Sequence, residues 1–166
     1  MTTNTLTTLA LLAALVFSPP GARAGDDKAP VRPVPPPGVA VPADDRASLE
    51  SGLGSLDRQI AEIESSGTPA IRALVPDVRI YANAVRYALS YDEIFDLKEV
   101  AEAKALLAEG SARAAALKEG RAPWTTATGL VVRGYVSKID GSVQPYGLVV
   151  PASYRLDAGH PFRLDV

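Results

Sequence analysis

The sequence predicts an α+β chain in which a small bundle of three helices is followed by a β-hairpin. Three observations lead there. Apolar residues recur at helical spacing through the middle of the chain, as in Leu49, Leu53, Leu56, Ile60 and Ile63. Two runs rich in Val, Leu and Tyr flank Asp140-Gly141 between Gly129 and Pro151, and an Asp-Gly pair between such runs is the strongest short-range hairpin signal. A length of 166 residues has room for one domain of ordinary size, or a small domain with the beginning of something else, and an apolar share of 47% is that of a globular protein.

At the N-terminus, Leu6 to Phe17 is an apolar run too short for a bilayer, which needs about 20 residues. Ser18-Pro19-Pro20-Gly21 and the Ala-x-Ala pattern Ala22-Arg23-Ala24 follow it, so residues 1–24 read as a secretory signal peptide cut after Ala24. The n-region MTTNT is atypical in carrying no Lys or Arg; the competing reading is a buried N-terminal helix. Export implies a secreted or periplasmic protein with no stable membrane insertion after cleavage. Residues 25–43 form a linker: Asp26 to Ala43 holds six prolines and favours extended polyproline II, a semi-rigid tether.

Residues 44–121 make the helical part. The first helix is expected from a cap at Asp44 to about Glu64, its five apolar residues spaced 4, 3, 4 and 3 along one stripe. Gly52 and Gly54 inside it cost about 1 kcal/mol each relative to Ala, so it needs a partner. A second helix begins near Pro69 and should break at Val75-Pro76, because a residue before proline is pushed from the α region. Asp77 then reads as the cap of a cleaner helix, Val78 to about Tyr91. One of its faces carries Val78, Tyr81, Val85 and Leu89, another Ile80, Tyr87 and Tyr91, which implies contact on two sides. The third helix, Leu97 to about Glu119, lines up Val100, Ala103, Leu107, Gly110 and Ala114. Short connections suggest antiparallel packing.

Residue types exclude much chemistry. With no cysteine there is no disulfide, thiolate nucleophile or Cys-based metal site, and with one histidine, His160, no site built on several imidazoles. A formal charge of −2 without basic clustering argues against a nucleic-acid partner. Asp92, Glu93 and Asp96 lack the alternating ligands and glycine of a calcium loop and read as solvated helix-end charge. No cofactor or metal is expected.

Residues 122–166 carry the hairpin. Ala122-Pro123-Trp124 breaks the last helix and sets the single tryptophan as an anchor between the two parts, with about 200 Å² to bury. A type I′ turn at Asp140-Gly141 would place Tyr135 opposite Tyr146, Gly134 opposite Gly147 and Val131 opposite Val150. Pro145, having no amide, calls for a sheet edge or a bulge. Phe162 to Val166 alternates apolar and polar residues and reads as the start of another strand, so the sequence is expected to stop within a larger sheet.

At this hairpin the chain resembles the secreted bacterial α/β-hydrolase-fold serine hydrolases, esterases or prolyl-oligopeptidase-like (S9-type) peptidases. The resemblance rests on Arg133-Gly134-Tyr135, on Ser137 through Leu148 with its Asp140-Gly141-Ser142-Val143-Gln144-Pro145-Tyr146-Gly147 core, and on Val149-Val150-Pro151. Weaker echoes lie in Pro76-Asp77-Val78, in Ala84 to Leu89 and in Pro123-Trp124. It implies that Trp124, Gly134, Tyr135, Asp140, Gly141, Gln144, Pro145, Tyr146 and Gly147 are a structural signature opening an α/β-hydrolase sheet, and that acyl transfer to water through a serine is the parent reaction. The family's Gly-x-Ser-x-Gly elbow, oxyanion His-Gly and late catalytic histidine have no counterpart in these residues. Gly54-Ser55 and Gly110-Ser111 sit in helical pattern, and His160 precedes the strand, so no family role passes to it. The expectation is a non-catalytic N-terminal portion of a secreted serine hydrolase, inactive alone, whose partner is the missing catalytic domain of the same polypeptide. The alternative is an exported binding or scaffolding module without enzymatic activity.

Overall fold

A computed structural model describes residues 36–155. The expected signal peptide, most of the expected tether, His160 and the strand expected at 162–166 lie outside the described residues. The described residues form four helices: α1 (Ala43–Ser66), the short α2 (Pro69–Arg72), α3 (Pro76–Ser90) and α4 (Lys98–Lys118). A 3-10 turn (Pro123–Thr125) leads into strands β1 (Gly129–Val136) and β2 (Val143–Val150), an antiparallel pair. The chain is therefore α+β, three long helices plus a hairpin.

The expected stripes form the core. Leu49, Leu56, Ile60 and Ile63 of α1, Val78, Tyr81, Val85 and Leu89 of α3, and Val100, Ala103, Leu107, Gly110 and Ala114 of α4 are buried, whereas Leu53, the fifth member of the first stripe, is only partly buried at the core's margin. Contacts fix the helix directions. Pairs Asp45–Lys104, Gly52–Leu107, Leu56–Gly110 and Glu62–Lys118 rise together along both chains, so α1 and α4 run parallel. Glu64–Arg79 and Asp57–Arg86 run in opposite order, so α3 is antiparallel to both. Small residues permit this approach: a Cβ on Gly110 would lie 2.7 Å from Leu56 Cδ2 and 2.9 Å from Tyr81 Cβ.

Several local expectations change. Asp44 does not cap α1; Pro42 does, with no side-chain cap, and Asp44 and Asp45 lie in the first turn, where the helix dipole favours carboxylates. Val75 remains in the α region (φ −54°, ψ −37°) although proline follows. The chain passes the break on 3-10 bonds, Leu74 N–H to Ile71 O, Val75 N–H to Arg72 O and Asp77 N–H to Leu74 O, and the proline, at the start of α3, sits where an amide is dispensable. The second face of α3 is split: Ile80 is buried, whereas Tyr87 and Tyr91 are exposed and lie against each other at 6.1 Å. The end of the Pro-rich stretch is docked, Gly38 and Val39 donating their amides to the Asp92 and Ile94 carbonyls.

The hairpin forms where expected, two residues out of the expected register. Tyr135 pairs with Gln144, Gly134 with Pro145, Val131 with Leu148 and Gly129 with Val150. The cause is the loop. Ser137 N–H bonds the Ser142 carbonyl at 2.8 Å, enclosing four residues, and Gly141 N–H returns to the Ser137 carbonyl. Within the loop, Gly141 alone takes positive φ (+72°); Asp140 instead accepts from the Ser142 amide and hydroxyl at 3.1 and 2.7 Å. These local side-chain bonds outcompete a two-residue turn. A shift of two preserves the side-chain period, so each residue keeps its face. Among the described residues Pro145 sits in an unbulged strand with a neighbour on one side only, the edge position it requires.

Candidate functional site: a carboxylate junction between helices and hairpin

Asp77 stands in the first turn of α3, yet its carboxylate does not cap that helix. The side chain turns toward the hairpin and is only 1% exposed. It accepts from Trp124 Nε1 at 2.9 Å, from Arg133 Nε at 3.0 and 2.9 Å, and from the Gly134 amide at 2.7 Å. The helix start, the 3-10 turn and β1 are thereby tied to one carboxyl group. Gly134 lies so close to the start of α3 that a Cβ there would fall 2.2 Å from the Pro76 carbonyl oxygen.

A second charge completes the junction. Arg113 of α4 is 8% exposed, and its guanidinium lies 4.9 Å from the ring centroids of both Tyr81 and Trp124, within cation–π range. Its Nε donates to Glu109 at 2.9 Å, while Nη1 donates to the Val132 carbonyl at 2.8 Å and, more weakly, to the Asp77 carbonyl at 3.4 Å. Two carboxylates thus face two guanidiniums, and among the described residues no buried side-chain nitrogen or oxygen lacks a partner. Such pairing is the condition for tolerating charge in a dry interior. Burial pushes the Tyr81 hydroxyl above the ordinary tyrosine pKa; the Arg113 charge opposes this, and Glu109 and Asp77 reinforce it.

Chemically the arrangement is closed. Three N–H groups reach the carboxylate, that of Arg133 Nε shared between both oxygens, so each oxygen takes two contacts in a buried setting that leaves no room for a substrate proton. Its work is mechanical, and its net charge is matched. Beside the junction an open groove of about 330 Å³ is lined by Trp124, Val131, Arg133, Leu148, Val150 and Tyr154.

The structure brings together only part of the signature taken from the sequence. Trp124, 9% exposed, and Gly134 belong to the junction. Tyr135 and Tyr146 meet edge-on at 5.9 Å along a diagonal of the sheet, both partly exposed. Asp140 and Gly141 shape the loop, and Gln144 braces it through Nε2 to Ser142 Oγ at 2.8 Å. Hydrogen bonds from Ser142 draw the Asp140 carboxyl below its ordinary pKa. Pro145 and Gly147 face Gly134 and Val132 across the ladder. Sequence reasoning missed Arg113 and the true role of Asp77. A signal existed for the first: Arg113 stands three residues after Gly110, on the buried stripe of an alanine-rich helix. For Asp77 the helix-start position concealed it.

The acidic cluster is helix-end chemistry. Asp96 accepts from the Lys98 amide at the start of α4, Asp92 pairs with Arg46 at 3.3 Å, and no group of acidic or histidine residues suited to a metal occurs among the described residues. No described helix is long and apolar enough to cross a membrane. By architecture the described chain is a helical unit carrying a locked β-hairpin. No protein-family profile, curated protein or solved structure matches it.

Proposed function

We propose that this chain is the non-catalytic N-terminal portion of an exported serine hydrolase, a helical mount that holds the first strand pair of a catalytic domain in a fixed pose. The observation that carries this reading is the use made of Arg133 and Gly134. These two residues of the hydrolase-like motif spend their polar groups on Asp77, so the motif serves strand placement. In the parent the reaction is hydrolysis of an ester or peptide, and the groups that perform it are supplied by the catalytic domain of the same polypeptide. Export rests on the Ala-x-Ala pattern ending at Ala24.

Purified residues 25–166 should show neither ester hydrolysis nor labelling by a fluorophosphonate probe, whereas robust labelling of any serine would overturn the reading. Reading the coding sequence onward provides the second arm. A Leu-His-Gly segment followed by Gly-x-Ser-x-Gly supports the proposal; an uninterrupted frame lacking both sinks it.

A second reading, an exported binding module, draws on the exposed apolar group Tyr87, Tyr91, Phe95 and Leu97 near the end of α3. It would retain the first outcome and fail the second.

A further inference from the structure

The junction uses only one part of the Arg133 guanidinium. Nε donates to both oxygens of Asp77, while Nη1 and Nη2 make no hydrogen bond among the described residues. The side chain is 21% exposed, and since no buried side-chain nitrogen of the described residues lacks a partner, these two terminal nitrogens meet solvent. Arg133 is at the same time part of the wall of the open groove of about 330 Å³ beside the junction.

The rest of that wall is apolar. The register and the two-residue period put Val131 and Arg133 of β1 on the same sheet face as Leu148 and Val150 of β2, and Trp124 and Tyr154 line the groove with them. Arg133 is the only charged residue among those lining it, and no carboxylate does. An apolar concavity of about 300 Å³ or more, with a small number of placed polar groups, is the usual form of a small-molecule site.

We propose that this groove binds a small monocarboxylate with an apolar body, the carboxylate accepting from Nη1 and Nη2 of Arg133 and the body lying on Val131, Leu148 and Val150 beside Trp124. The planar fork of a guanidinium matches the two oxygens of a carboxylate, which a point charge does not. A cation is excluded by the sign of the wall. A dianion such as phosphate is undermatched, because the single guanidinium already shares its charge with Asp77. An anion without an apolar body leaves the hydrophobic wall in water and gains little. Two sources carry the chemistry that remains, a short acyl acid and the C-terminus of a peptide ending in an apolar residue.

Trp124, the only tryptophan, reports on the site. In the 166-residue chain hexanoate should change its emission saturably, whereas acetate, hexanamide and inorganic phosphate at matched ionic strength should not. N-acetyl-alanyl-leucine with a free carboxyl group is titrated beside hexanoate, and the tighter of the two identifies the source. Arg133→Lys, which keeps the charge and loses the fork, should weaken binding by roughly tenfold or more. Val150→Phe, which fills the groove away from Asp77, should abolish binding without lowering the melting temperature. A response to hexanamide or phosphate equal to that of hexanoate, binding unaltered by both substitutions, or no response to either acid overturns the inference.

Discussion

Asp77 is the side chain whose loss should be felt furthest. Replacing it with alanine strands the Trp124 indole N–H, the Gly134 amide and the Arg133 guanidinium, and leaves Arg113 and Arg133 with one carboxylate between them. Breaking a buried ion pair by removing one partner costs about 3–5 kcal/mol. Arg133 is partly exposed and can recover water, which favours the lower end, about 3 kcal/mol. Urea titration of Asp77→Ala should give that loss, and Trp124 emission, the only tryptophan signal, should move to the red in native buffer as the indole gains water. Unshifted emission with unchanged stability would show that the junction is not what holds the hairpin. The identity of Trp124 as an anchor was legible from sequence, because a large aromatic group beside a helix-breaking proline has few other uses. Its partner was not legible: an aspartate at a helix start has a local role available, and only the folded chain shows the distant one taken instead.

Among the elements, the glycines of the helices separate propensity from packing. Gly54 in α1 has open space, a Cβ there meeting only Arg58 Nη1 at 3.8 Å. Gly54→Ala should therefore stabilise by up to about 1 kcal/mol, the helix-propensity difference. Gly110 in α4 has the same propensity to gain and no space to gain it in, since its Cβ would fall within 3.0 Å of Leu56 and Tyr81. Gly110→Ala should lower the melting temperature while Gly54→Ala raises it, and equal shifts would contradict the close crossing of α1, α3 and α4. The helix stripes were legible because a 3.6-residue period needs only one buried face to declare itself. The hairpin register was legible only in its parity. The face of each residue follows from alternation, whereas the pairing depends on Ser137, Asp140 and Ser142 choosing local hydrogen bonds in the loop.

For the molecule as a whole, the hairpin has no stability of its own, because an isolated strand pair is marginal in water. Its buried residue Val131 joins the helical core, and its polar ties run to α3 and α4. Thermal unfolding followed by far-UV circular dichroism, which reads the helices, and by Trp124 fluorescence, which reads the junction, should therefore trace one transition. An earlier fluorescence midpoint would mean that hairpin and helices unfold separately. Composition and period by themselves determined the class of the protein: three amphipathic helices and a strand pair, with no cysteine or imidazole cluster on which to build a metal or thiol site. They could do so because those signals are local, each carried by residues a few positions apart. The short connections also announced the antiparallel run of successive helices, whereas the tertiary structure alone decided the strand register and the meeting of Asp77, Arg113, Trp124 and Arg133 from four separate segments. Those depend on which buried charge finds its partner, a question that desolvation settles only when the whole chain has closed around it.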